Sequence, residues 1–293
     1  MEPLAQQKHK QIAAYGCILG AAFLWGIIGV WNRRLMASGV SPTSIVVIRN
    51  IGSMLMLSAI FAVKDRSMFW VKREHLKYFF GTGVISVVLF TLCYFSCQKV
   101  CSLAVASILL YTAPSFVVIL SALLWKEPVT KKKVAALALT LVGCALVCGV
   151  FGGELAITVA GILFGLGAGF FYALYSIFSR YALRHYSALK CTLWMFIFAG
   201  AASVFLIRPA ELSVLLNFEE GLTALILVVL STGTPFILYT MGLSRVEAGK
   251  ASIIASFEPV VAALAGVLVF GEPMGMSMIA GILCILAGVC ILR

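Results

Sequence analysis

Apolar residues in this chain run on for about twenty positions at a time instead of alternating with polar ones. Ten such runs lie at roughly 12–32, 43–63, 76–98, 102–125, 133–151, 157–179, 189–207, 221–243, 248–270 and 274–292. At 1.5 Å per residue, each can cross a hydrocarbon layer of about 30 Å as a helix. A membrane β-barrel would show ten-residue segments of alternating polarity. The expected fold is therefore an all-α membrane protein of ten transmembrane helices, and the connections between the runs are too short for a separate soluble domain. The longest basic connector, Lys64–Lys77, mixes charge with Met68, Phe69 and Trp70 and is expected to lie along the membrane interface. Pro209–Glu220 is expected to form a short surface helix.

Composition agrees. Of 293 residues, 62% are hydrophobic and 11% charged, with a mean hydropathy of +1.08. Soluble domains carry about 25% charged residues. The first run is too long for the core of a signal peptide, and Asn32-Arg33-Arg34 follows it instead of a small-residue cleavage site. The net charge of +11 does not mark a nucleic-acid binder, because the charges follow the membrane. With the N-terminus inside, 17 of the 22 basic residues face the cytoplasm, from Lys8 through Lys131-Lys132-Lys133 to Arg293. Arg33, Arg34, Lys99 and Arg208 fall outside, and Arg49 lies within a run. This bias places both termini in the cytoplasm. The nine cysteines sit almost entirely inside runs without a histidine beside them; they are read as packing residues, and neither a metal site nor a cofactor is expected.

An internal repeat organises the chain. ASILLYTAPSFVVILSALLWKEP (106–128) aligns with ASIIASFEPVVAALAGVLVFGEP (251–273). Pro114 matches Pro259, and Glu127-Pro128 matches Glu272-Pro273, each pair 145 positions apart. Gly143 and Gly288, and Tyr94 and Tyr239, keep that offset, whereas GAAFLWG and GAGFFYA, with Arg33 and Arg180, align at 147. The unit holds five spans, so residues 1–151 and 152–293 form two five-helix repeats. An odd number of spans inverts the second copy, as the loops confirm: Glu127-Pro128 leads into three lysines, and Glu272-Pro273 leads into Met274-Gly275-Met276. Inverted repeats are the architecture of secondary transporters.

Several residues stand out against the apolar background. Pro114 and Pro259 free the carbonyls of Leu110 and Ala255 near mid-span. Such groups must face protein or water, so the prolines are candidate hinges beside a binding site. Glu258 is the one acid deep in a span, where a charge costs about 2.5–3.5 kcal/mol; its mate in the first repeat is Ala113, so the repeat itself does not require it. Arg49 is the other intramembrane charge, placed either to bind substrate or to snorkel outward. Trp25, Tyr111, Tyr172 and Tyr239 lie deep enough to line a cavity, although each alone is as readily a packing residue. Gly16 with Gly20, Gly161 with Gly165 and Gly169, and Ala262 with Gly266 allow close helix approach.

Paired proline-centred fourth spans ending in Glu-Pro, glycine-bearing fifth spans, Trp25-Gly26, Arg49 and SFEPVVAALAGVLVFGEP resemble the EamA type of the drug/metabolite transporter superfamily over the whole chain. The resemblance implies an inner-membrane carrier of small organic metabolites, often an exporter of amino acids or related compounds, with a central cavity between the halves. Lys126 departs from the family pattern, which has glycine there as at Gly271. In this reading the partners are a small-molecule substrate, the lipid bilayer and a proton as coupling ion. The cavity lies between spans 1–4 and 6–9, Glu258 takes a cationic group or the proton, and Arg49 takes a carboxylate. A transporter of organic cations is the alternative. A membrane enzyme or receptor finds no support in an HExxH or GxSxG motif, and no catalytic residue is assigned.

Overall fold

The computed structural model describes residues 4–150 and 157–292, with side chains from residue 10 onward. The expected junction at 151/152 and Arg293 lie outside the described residues, and of Lys8 and His9 only the backbone is described. Among those described there is no β-strand. Eight helical spans are long and apolar enough to cross a membrane. They are α1 (Lys10–Ala37), α2 (Pro42–Lys64), α3 (Arg73–Val100), α4 (Leu103–Trp125), α6 (Val159–Ala182), α7 (Ala188–Leu206), α8 (Phe218–Leu243) and α9 (Ala248–Phe270). The fifth and tenth elements, α5 (Lys131–Val147) and α10 (Met276–Ile291), have 17 and 16 residues, fewer than the sequence suggested. Gly149, at φ +73°, turns the chain out of α5, and extended residues after Pro273 delay the start of α10.

Hydroxyl caps set many of the starts. The side chains of Ser41, Ser102, Thr130, Thr158 and Ser187 each accept the N–H three residues on, at the heads of α2, α4, α5, α6 and α7; each satisfies a backbone donor that the helix leaves unpaired. The long connector to α3 holds a 3-10 turn, Arg66–Phe69, in which Met68 is buried instead of lying at the interface; Trp70 after it is 80% exposed, and a second such turn, Arg73–His75, opens α3. The stretch 209–220, expected to be one short helix, instead forms a single turn at Pro209–Leu212 and a 3-10 turn at Ser213–Leu216, and its last residues open α8.

Helices of the two repeats interleave. α3 packs on α6, α6 on α4, α4 on α9, α9 on α1, α1 on α8, and α2 on α7. α5 and α10 pair with each other. Gly143 permits their contact, since a Cβ there would stand 2.7 Å from the Gly281 carbonyl oxygen. Ion pairs identify the two ends of the bundle. At one end Arg33 meets Glu272 at 2.6 Å and Arg34 meets Glu219 at 2.7 Å. At the other, the basic end, Arg180 meets Glu127, and Lys133 meets Glu247 at 2.8 Å.

Candidate functional site

The site is built on broken helices. α4 stops at Leu110 and resumes at Ala113 with Pro114 in its first turn. α9 stops at Ala255 and resumes at Glu258 with Pro259 in its first turn. Proline is tolerated there because its missing N–H would be unpaired anyway. Glu258 thus opens the second half-helix of α9, where free N–H groups and the helix dipole favour an anion. α1 is interrupted beside it at Ile27. Gly26 lets α1 approach this break: a Cβ on it would lie 2.8 Å from the Glu258 carbonyl oxygen.

Above the breaks lies a cavity of about 650 Å³ whose lining reaches Arg33, Met36 and Phe270 at the Arg33–Glu272 end. Glu258 and Arg49 both line it, as do Trp25, Tyr111 and Tyr172. Its walls come from α1, α2, α3, α4, α6, α8 and α9; α7, expected among them, is not part of the lining. Arg49 donates from Nε to the Thr232 hydroxyl at 3.2 Å. Among the described residues, no ion pair within 4 Å joins it to Glu258. Glu258 and Arg49 therefore face one space without touching each other.

Toward the basic end the cavity meets an aromatic floor. The Phe236 ring packs edge-on to Trp25 at 5.2 Å and to Tyr175 at 5.1 Å, while Tyr239 lies 5.5 Å from Trp25. Hydrogen bonds fix the floor: Tyr239 to Ser176 at 2.8 Å and Tyr175 to Thr240 at 2.6 Å. Below the cavity is a void of only about 20 Å³, lined by Pro114 and Tyr239 together with Glu258, Trp25, Tyr111 and Tyr172. Tyr239 thus sits beneath the main cavity, and Pro259 is buried within α9 without lining either space.

Sequence reasoning missed Phe90, Gln98 and Phe236 on the cavity wall, and Thr232 behind Arg49. Thr232 is held by a π-helical turn, Val229–Gly233, in which its hydroxyl donates to the Leu227 carbonyl at 2.9 Å. The offset of 145 relates this turn to a longer π-helical segment, Gly81–Val88, in α3. Such turns recur at functional sites.

The model of the EamA-like transporter family matches residues 12–149 and 159–293. The chain belongs to that family. Among its EamA relatives is an uncharacterized transporter of Archaeoglobus fulgidus, 34% identical over 64% of this chain and 66% of that protein. The uncharacterized transporter YwfM of Bacillus subtilis is 27% identical over 94% and 92%. The uncharacterized inner membrane transporter YicL of Salmonella typhimurium is 26% identical over 87% and 86%. A crystal structure of 19% identity shares the fold, with a TM-score of 0.79 over 95% of each chain. This EamA chain is a multi-pass membrane transporter.

Proposed function

We propose that the protein is a secondary transporter that moves a small zwitterionic metabolite, an amino acid or a near relative, out of the cell by alternating access. The observation that carries this reading is that Glu258 and Arg49 face one cavity unpaired, so that an ammonium and a carboxylate on one molecule find complementary partners there. The cavity closes at an aromatic floor made by both repeats, which suits a carrier better than a channel. The bias of basic residues supports a cell-membrane location with both termini cytoplasmic, which makes the Arg33–Glu272 end external. Glu258 also suits a coupling proton, since it is the intramembrane acid at the floor of the path.

Glu258→Gln should lower amino-acid flux into proteoliposomes about ten-fold, as expected for loss of a charged partner, while the protein still inserts and purifies. Flux of the native protein should vary with pH. Native flux that stays constant across pH, or a Gln variant that transports normally, rejects the role. One observation favours export of organic cations as a second reading: Phe90, Tyr94, Tyr111 and Tyr172 line the same cavity as Glu258, and aromatic faces attract cations. Flux of quaternary ammonium compounds without flux of amino acids decides for that alternative.

A further inference from the structure

The Glu-Pro motifs sit at opposite ends of the bundle and have matching partners. Glu127 of the first repeat pairs with Arg180 of the second; Glu272 of the second pairs with Arg33 of the first. The Arg180 guanidinium lies 5.0 Å from the centre of the Trp125 ring, and Arg33 lies 4.4 Å from that of Phe270. Trp125 and Phe270 are themselves repeat mates at offset 145. Each motif is therefore one corner of a triad of glutamate, arginine and aromatic ring that joins the two repeats.

The triads differ in one further contact. At the basic end, Oε1 of Glu127 also accepts the N–H of Ala248, the first residue of α9, at 3.3 Å. Lys133 braces it, lying 3.8 Å from Glu127 and 2.8 Å from Glu247. The symmetric partner for Glu272 would be Leu103, the first residue of α4. Its amide has no hydrogen-bond partner among the described residues, and its side chain, 63% exposed, lines the open cavity. The end whose glutamate reaches the opposite repeat's broken helix is closed; the end whose glutamate does not is open.

We propose that Glu127 and Glu272 are alternating latches. Each stays with its arginine, and each docks on the amino-terminal N–H of the other repeat's broken span only when its own end is shut. A helix amino terminus attracts a carboxylate, and the contact lies where the half-helix must move to open the path. Opening the basic end releases Glu127 from Ala248 while Glu272 closes on Leu103. The brace is one-sided, because Lys133 and Glu247 correspond to Met278 and Ser102. The resting protein is therefore held shut at the basic end. This inference rests on the alternating-access reading but not on the identity of the cargo.

Hydrogen–deuterium exchange of the full chain in nanodiscs tests it. In Glu127→Gln, amides at the head of α9 should exchange about ten-fold faster, the shift expected for one charge-assisted hydrogen bond. Amides at the head of α4 should exchange more slowly in the same sample. Glu247→Gln, which leaves the Arg180 pair intact, should move both regions the same way by less, and it carries the test if Glu127→Gln does not fold. Glu272→Gln should leave the basic end unchanged. Faster exchange at both ends, or at neither, overturns the proposal and marks the pairs as structural. Reciprocal exchange in a protein that carries no amino acid would instead reject the proposed cargo and keep the latches.

Discussion

Lys126 and Gly271 end α4 and α9 in the same left-handed backbone, with φ of +56° and +66°. That turn sends the next N–H back to the helix: Glu127 to the Ser121 carbonyl at 3.4 Å, and Glu272 to that of Gly266 at 3.2 Å. Glycine adopts this conformation freely, whereas a residue with a Cβ loses about 1–2 kcal/mol. Lys126→Gly should therefore raise the apparent melting midpoint of the detergent-purified protein by the equivalent of about 1 kcal/mol, and Gly271→Lys should lower it. A thermal melt of both variants beside the native chain checks this. The position drew attention in the sequence because it departs from the family pattern that Gly271 keeps. Glu258 and Arg49 were legible for a related reason, since a charge among apolar residues is costly and conspicuous. Their sharing of one cavity was not legible, because a span's sequence does not specify its neighbours. Phe90 and Phe236 were hidden differently: on a helix apolar all round, a phenylalanine facing a cavity reads like one facing lipid.

At the scale of elements, proline marked the breaks in α4 and α9, since the ring removes a donor wherever the helix runs. The π-helical turns in α3 and α8 left no such mark; they insert a residue without a special residue type and are settled by packing. The pairing of α5 with α10 also depends on contact. In the sequence Gly143 and Gly288 stood out only as repeat mates, and the fold shows that each lets its helix approach the other. A Cβ on Gly288 would lie 2.9 Å from the Ala136 carbonyl oxygen, the counterpart of the contact at Gly143. Gly143→Val should thus force the pair apart and cost about 1–3 kcal/mol of stability, read as a lower midpoint in the same melt. Because neither helix lines the cavity, the affinity of the folded fraction for cargo should remain unchanged.

Across the whole molecule, the end beside the open cavity is tied by polar contacts between the repeats. The N–H of Ser41 donates to Glu211 at 2.8 Å, and the Ser38 hydroxyl donates to Glu220 at 3.1 Å. Hydrogen bonds from Ser41 and Ser44 bring the Glu211 pKa down from 4.5 to about 2. A depressed folded-state pKa adds stability above the unfolded value and loses it as pH falls through the folded one. Glu211 therefore contributes fully above pH 4.5, and its contribution fades toward about pH 2. The difference in melting midpoint between the native chain and Glu211→Gln should be constant near neutral pH and shrink as the solution is acidified through that window.

The brevity of α5 and α10 has a consequence for the surrounding lipid. At 17 and 16 residues they span about 24–26 Å, against about 30 Å of hydrocarbon. The bilayer must dimple along one flank of the protein, at a modest elastic cost for each ångström of mismatch. That deformation falls on a pair that lines no part of the cavity but packs behind Tyr111. The lipid thus presses on the join between the two repeats, and the thickness of the host membrane becomes a mechanical load on it.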